Sequence, residues 1–154
     1  MHVLECSTGE NKPAKILPVE AKDFKNISVK RHSFNWKKAK DSAALFKLTL
    51  TDNDDILGLI ALLYFPEEER IEIKLLSVAV DQIGKNKIYD RIAGCLIAFA
   101  GLEAIRNYLN YPCVSLIPKT ELKDHYIEKY GMEDAGWQLF LEDEPLLALI
   151  GEYL

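Results

Sequence analysis

The chain is short of cysteine, of positive charge and of long apolar runs, and each shortage closes off a class of protein. Its 154 residues hold three cysteines, Cys6, Cys95 and Cys113. The count is odd and no two stand at C-x-x-C spacing, so neither a disulfide framework nor a zinc site is expected, and no metal is implied. Cys95 falls in an apolar helix signal and Cys113 in an apolar strand signal, where cysteine serves as a small core residue rather than a nucleophile. No apolar run is long enough to span a bilayer. The opening MHVLECSTGENKPAK lacks the apolar stretch and small residues of a secretory signal, so the cytoplasm is the expected compartment. Acidic residues outnumber Lys and Arg by 24 to 19, for a formal net charge of −5. A general nucleic-acid binder carries the opposite excess. Neither G-x-x-x-x-G-K-S/T nor G-x-G-x-x-G occurs, which sets aside Walker-type and Rossmann-type nucleotide sites. What remains is an ordinary globular balance, 49% hydrophobic and 28% charged, enough for one domain over residues 1–154 with a real core.

Read in order, the first fifteen residues are polar and suggest a loose arm or an edge strand. Ile16 to Val19 contains Pro18, so it is at best an edge strand. Ser28 to Lys40 is basic and aromatic, with a short strand possible around Phe34–Trp36. Ala43 to Leu50 reads as a strand. Ile56 to Phe65 is a near-continuous apolar run, the mark of a strand buried on both faces. Ile71, Ile73 and Leu75 alternate with Glu72, Lys74 and Leu76, a third strand. Short turns rich in Asp and Glu separate the three, as in an antiparallel meander. Ile88, Ile92, Cys95, Leu96, Phe99 and Leu102 then recur at helical spacing up to about Asn107. Cys113 to Ile117 is another strand. Thr120 is placed to cap a helix ending at Tyr130–Gly131. Trp137 to Leu141 closes the strands. Pro145 to Tyr153 is a last helix with proline in its first turn. The order predicts an α/β (α+β) domain: a mixed, mostly antiparallel sheet flanked by helices, β-rich first and then β-α-β-α-β-α.

The segment Arg70 to Phe99 carries most of the functional information. A strand enters a loop bearing Gly84, Lys85, Asn86 and Lys87, and the loop opens a long helix. Unpaired N–H groups and the helix dipole make such a junction a seat for a phosphate. Glycine lets the backbone approach the ligand and lysines supply mobile cations. Asp81 and Asp90 blunt that charge. The alternative is a solvated turn that only starts a helix.

Three features resemble the GNAT superfamily of acyl-CoA N-acyltransferases. The first is this strand, loop and helix, in which Arg91-Ile92-Ala93-Gly94-Cys95-Leu96-Ile97 is similar to the family's G-I-G-x-x-L-I. The second is Tyr126-Ile127-Glu128-Lys129-Tyr130-Gly131-Met132, similar to Y-E-K-L-G-F. The third is the order of elements. The patterns Gln82 to Gly94 and Lys119 to Tyr126 resemble a little-characterised bacterial branch. Arg91 stands where the family has its first loop glycine, Ile88 replaces the leading Gln or Arg, and the tyrosine is displaced by one position.

The resemblance implies acetyl-CoA as cosubstrate. Its pyrophosphate would meet Gly84, Lys85, Asn86, Lys87, Tyr89, Arg91, Ile92, Ala93 and Gly94. Its pantetheine would meet the backbone of Leu76, Ser77 and Val78, where the strand parts from its neighbour. Acyl transfer to an amine asks for an acid at the thiolate and a base at the amine. Tyr126 is the candidate acid, although Leu122, Tyr126 and Tyr130 also suit a packed helix face. Glu72 is the candidate base, although a strand glutamate more often faces solvent. His125 lacks a Cys or Ser partner and reads as a surface residue. The implied activity is N-acetyl transfer by direct attack of an amine, with no nucleic-acid or membrane partner. The acceptor could be a small amine, an antibiotic, a peptide N-terminus, a lysine or an RNA-linked amine. The alternative is a degenerate GNAT-like domain that binds CoA or a partner protein without turnover. A third reading makes Phe34–Trp36 and the closing helix a homodimer face.

Overall fold

The computed structural model describes residues 1–154. Nine strands form one sheet in the order β6-β1-β2-β3-β4-β5-β7-β9-β8. The strands are β1 (His2–Glu5), β2 (Asn11–Pro18), β3 (Ala44–Leu50), β4 (Gly58–Phe65), β5 (Arg70–Val78), β6 (Tyr89–Asp90), β7 (Cys113–Leu116), β8 (Glu133–Asp134) and β9 (Leu139–Leu141). The helices are α1 (Val29–His32), α2 (Trp36–Ala39), α3 (Ile92–Asn107), α4 (Lys123–Tyr130) and α5 (Asp143–Tyr153). Every strand pair is antiparallel except β5 with β7. The mixed, mostly antiparallel sheet expected from the sequence is thus present, and β3-β4-β5 is the meander.

The apolar run of β4 feeds two cores, because alternate side chains leave opposite faces of a strand. Ile60 and Leu62 join the larger core beneath α3 and α5, whereas Leu59 and Ala61 join a smaller one with Trp36 and Ala39 of α2. α3 is buried almost all round, since β4 and β5 cover one side and α5 the other. Two glycines make this closeness possible. A side chain at Gly58 would strike Ile92 and Leu96, and one at Gly94 would strike the Tyr153 ring.

Four expectations are corrected here. The first fifteen residues are no loose arm: β1 and β2 form a hairpin, and Val3 is wholly buried. Its hydrophobic side chain reaches the larger core, which local polarity hides. α3 starts at Ile92, not near Ile88, because Tyr89 and Asp90 pair with Glu5 and Leu4 as β6. The Phe34–Trp36 segment is not a strand; Asn35 caps α2 by accepting from Lys38 N–H at 3.1 Å. Trp36 is 1% exposed and donates to His32 O at 2.9 Å. It therefore lies in the smaller core, and Leu146 and Leu149 of α5 lie in the larger one. Thr120 does not cap α4, which begins after a single 3₁₀ turn with no side-chain cap.

Candidate functional site

β5 and β7 run side by side only from Arg70–Cys113 to Ile73–Leu116. Beyond that point β7 ends and Pro118 leads the chain away, while β5 continues to Val78. The sheet parts into a cleft of about 580 Å³, lined among others by Leu76, Ser77, Val78, Leu116, Lys119 and Tyr126. A bulge marks the start of the parting. Leu62 faces Ile73 and Ala61 faces Leu75, which leaves Lys74 as the extra residue of β5.

The unpaired edge of β5 has a definite register. Ala79 N–H donates to Leu57 O at 2.9 Å. Antiparallel alternation then turns the main chain of Ser77 toward Leu59 of β4 and the N–H and C=O of Leu76 and Val78 into the cleft. The cleft thus offers donors and acceptors to a ligand that carries amides of its own. Of the three pantetheine residues expected from the sequence, Leu76 and Val78 offer free backbone. Ser77 instead contributes a buried hydroxyl that has no protein partner.

Val78 and Ile83 also line a second cavity of about 250 Å³, so the two adjoin. This cavity lies at the start of α3. No side chain caps that helix, so the N–H groups of Ile92, Ala93 and Gly94 have no intrahelical acceptor. Gly84, Lys87, Tyr89, Arg91, Ile92 and Ala93 line it, joined by His125 and Lys129 of α4, which were not assigned to it from the sequence. Their signal was present in the spacing of four along α4, but only the docking of α4 shows which loop they meet. Gly84 takes a left-handed φ of 84°. The Tyr89 N–H donates to Gln82 Oε1 at 2.9 Å, and the Cys6 N–H to Ile88 O at 2.8 Å, so the N-terminal hairpin holds the loop in place.

The remaining loop residues point elsewhere. Lys85 and Asn86 are exposed and do not line the cavity. Gly94 faces Tyr153 rather than the cavity. Arg91 keeps the left-handed backbone (φ 79°) of the glycine it replaces. Its guanidinium, however, donates to Glu152 O at 2.8 Å and stacks 4.7 Å from the Tyr153 ring centre. Asp90 accepts from Lys87 Nζ at 2.9 Å and from its neighbour's N–H, Arg91, at 2.8 Å. Lys87 holds that carboxyl below its usual range despite some burial. Asp81 is tied to Arg31 at 3.1 Å, which joins the loop to α1.

Among acid–base candidates, Tyr126 lines the cleft, and burial raises the pKa of its phenol. Glu72 does not line it. Arg70 Nη1 donates to the Glu72 carboxylate at 3.0 Å and to Ser115 Oγ at 2.8 Å, which locks the glutamate across β5 and β7. His125 stacks edge-on against Tyr126 and Tyr130. Burial pushes the Cys95 and Cys113 thiols up to about 11, so neither is a thiolate at neutral pH. No helix is long and apolar enough to cross a membrane.

No family model and no curated protein matches the chain. Solved structures do. A GNAT family acetyltransferase from Elizabethkingia anophelis with acetyl-CoA bound is 16% identical, with a TM-score of 0.59 over 84% of this chain and 98% of that one. The spermidine N-acetyltransferase from Vibrio cholerae, in complex with CoA and spermine, is 13% identical, with a TM-score of 0.60 over 87% and 98%. The IAA acetyltransferase from Bacillus cereus is 13% identical, with a TM-score of 0.60 over 84% and 99%. At such identities the likeness speaks for architecture: the chain has the fold of the GNAT acetyltransferases.

Proposed function

We propose that the protein is an N-acetyltransferase that takes its acyl group from acetyl-CoA and passes it to an amine by direct attack. The observation that carries this reading is the parting of β5 from β7 beside the uncapped start of α3. The pyrophosphate would rest on the N–H groups of Ile92, Ala93 and Gly94, with Gly84, Lys87, Tyr89 and Lys129 around it. The pantetheine amides would pair with Leu76 and Val78 along the open edge of β5. The thioester would then lie toward Tyr126 and the bulge at Lys74. Lys85, Asn86 and the Arg91 side chain have no direct contact with the donor in this arrangement.

The chemistry needs no covalent enzyme intermediate. The neutral amine adds to the thioester carbonyl carbon, and the tetrahedral adduct collapses with cleavage of the C–S bond. The departing thiolate takes a proton from the Tyr126 hydroxyl, which burial keeps protonated at neutral pH, and the ammonium proton leaves to solvent. The fold contributes mainly by positioning the two reactants. Tyr126→Phe should lower kcat by about 100-fold or more, the low side of general-acid effects. The KM for acetyl-CoA should change by less than about twofold. Steady-state release of CoA thiol measures both; an unchanged kcat would remove the tyrosine from the mechanism.

One observation favours the non-catalytic alternative. The Asp90 carboxylate sits at the start of α3 and engages Lys87, a cation that lines the expected phosphate cavity. Under that reading acetyl-CoA binds but no amine releases CoA. A ligand-dependent rise in melting temperature without turnover on a broad amine panel would establish it.

A further inference from the structure

The charge and the titratable groups of the cleft restrict the amine it can use. Lys74 and Lys119 are the only charged side chains lining it, both are exposed, and neither is in an ion pair. Lys74 Nζ is steadied by Ser42 Oγ at 2.6 Å. The groove that adjoins it through Lys74 and Leu75 adds Lys38 and one carboxylate, Asp41. In a protein of net charge −5, this end of the site is therefore locally cationic. A polyamine entering it meets like charge, whereas an acceptor with a carboxylate meets its complement.

The second restriction is the lack of a base. Glu72 is locked by Arg70, and His125 lines the phosphate cavity rather than the cleft. Tyr126 is protonated at neutral pH and can only donate. The amine must then arrive neutral. At pH 7.5 a peptide α-amine (pKa about 7.7–8.0) is neutral roughly two hundred times more often than a lysine-type amine (about 10.4).

We propose that the acceptor is the α-amine of an acidic peptide, drawn in by Lys74 and Lys119, which attacks the thioester in its neutral form. The proposal rests on the acetyltransferase reading. The amine nitrogen forms the new amide bond, the C–S bond of acetyl-CoA breaks, and the proton shed by the amine goes to solvent rather than to a side chain.

The test uses the full chain with acetyl-CoA and follows CoA thiol release. The panel holds a peptide beginning Ala-Asp-Glu, the same peptide N-acetylated with an internal lysine, a peptide beginning Ala-Lys-Lys, free glutamate and spermidine. The expected result is a kcat/KM for the acidic α-amine at least tenfold above every other member, rising with pH to a midpoint near that amine's own pKa of about 8. Lys74→Glu should reverse the order of the two peptides. The rise in melting midpoint with acetyl-CoA is read on both proteins, to separate the donor site from the acceptor site. A clear rise with a preference for spermidine, free glutamate, the internal lysine or the basic peptide overturns the proposal and spares the acetyltransferase reading. A rise with no turnover on any member also overturns it. No rise at all overturns both.

Discussion

Arg91 and His32 show how a residue's role depends on its surroundings. At Arg91 the backbone is left-handed, a conformation that costs an ordinary L-residue about 1–2 kcal/mol. The side chain offsets this by tethering α3 to the carbonyl of Glu152 and the ring of Tyr153. Arg91→Gly loses the tether but relieves the strain; Arg91→Ala loses the tether and keeps the strain. The alanine variant should therefore be the less stable of the two, by about 1 kcal/mol in urea unfolding. Equal stability would mean that position 91 is not held left-handed. From the sequence Arg91 could be named as a loop residue of the donor site. Its direction could not be read, because it is set by a helix 61 positions later.

His32 is wholly buried, and neither ring nitrogen has a partner. Burial, with Arg31 next to it, lowers its pKa below 6.5. The unfolded chain therefore binds the proton more readily than the folded one. The stability tied to neutral His32 is fully present above pH 6.5 and is lost as pH falls through the depressed value. His32→Phe should flatten stability against pH between about 6.5 and 5, measured by thermal unfolding across that range. An unaltered slope would assign the pH dependence to other groups.

At the scale of elements, legibility followed length and local pattern. β3, β4, β5, α3 and α5 each carry their own periodicity, and their existence and order could be read directly. β6 could not, since two residues become a strand only by pairing with β1. The four-residue α1 and α2 are shorter than any helical period can reveal. The parting of β5 from β7 was expected from family resemblance alone, whereas its register depends on the pairing to β4. The contact of α3 with α5 gives the most direct prediction at this scale. Gly94→Ala would drive a methyl group into the Tyr153 ring and should cost about 1–3 kcal/mol, as overpacking does. Gly151→Ala, within α5 and with open space around it, should gain up to about 1 kcal/mol from helix propensity. Similar effects of the two substitutions on the midpoint of unfolding would contradict the packing described.

For the whole molecule, the N-terminal hairpin is the part that local sequence conceals most. It looks polar and loose, yet β1 extends the sheet to β6 and thereby holds the loop that leads into α3. A net acidic protein is thus built to present a cavity of main-chain N–H groups and lysines next to an open strand edge. The claim that this is an acyl-CoA site is tested most directly by thermal unfolding with and without millimolar acetyl-CoA, with desulfo-CoA and ATP in parallel. At about 100 times its dissociation constant a ligand adds roughly 2.7 kcal/mol, which raises the midpoint of a domain this size by about 5–10 °C. The account predicts that rise with both CoA compounds, a smaller one with ATP, and a clear reduction in Lys87→Ala. An unchanged midpoint with acetyl-CoA at saturating concentration would contradict it.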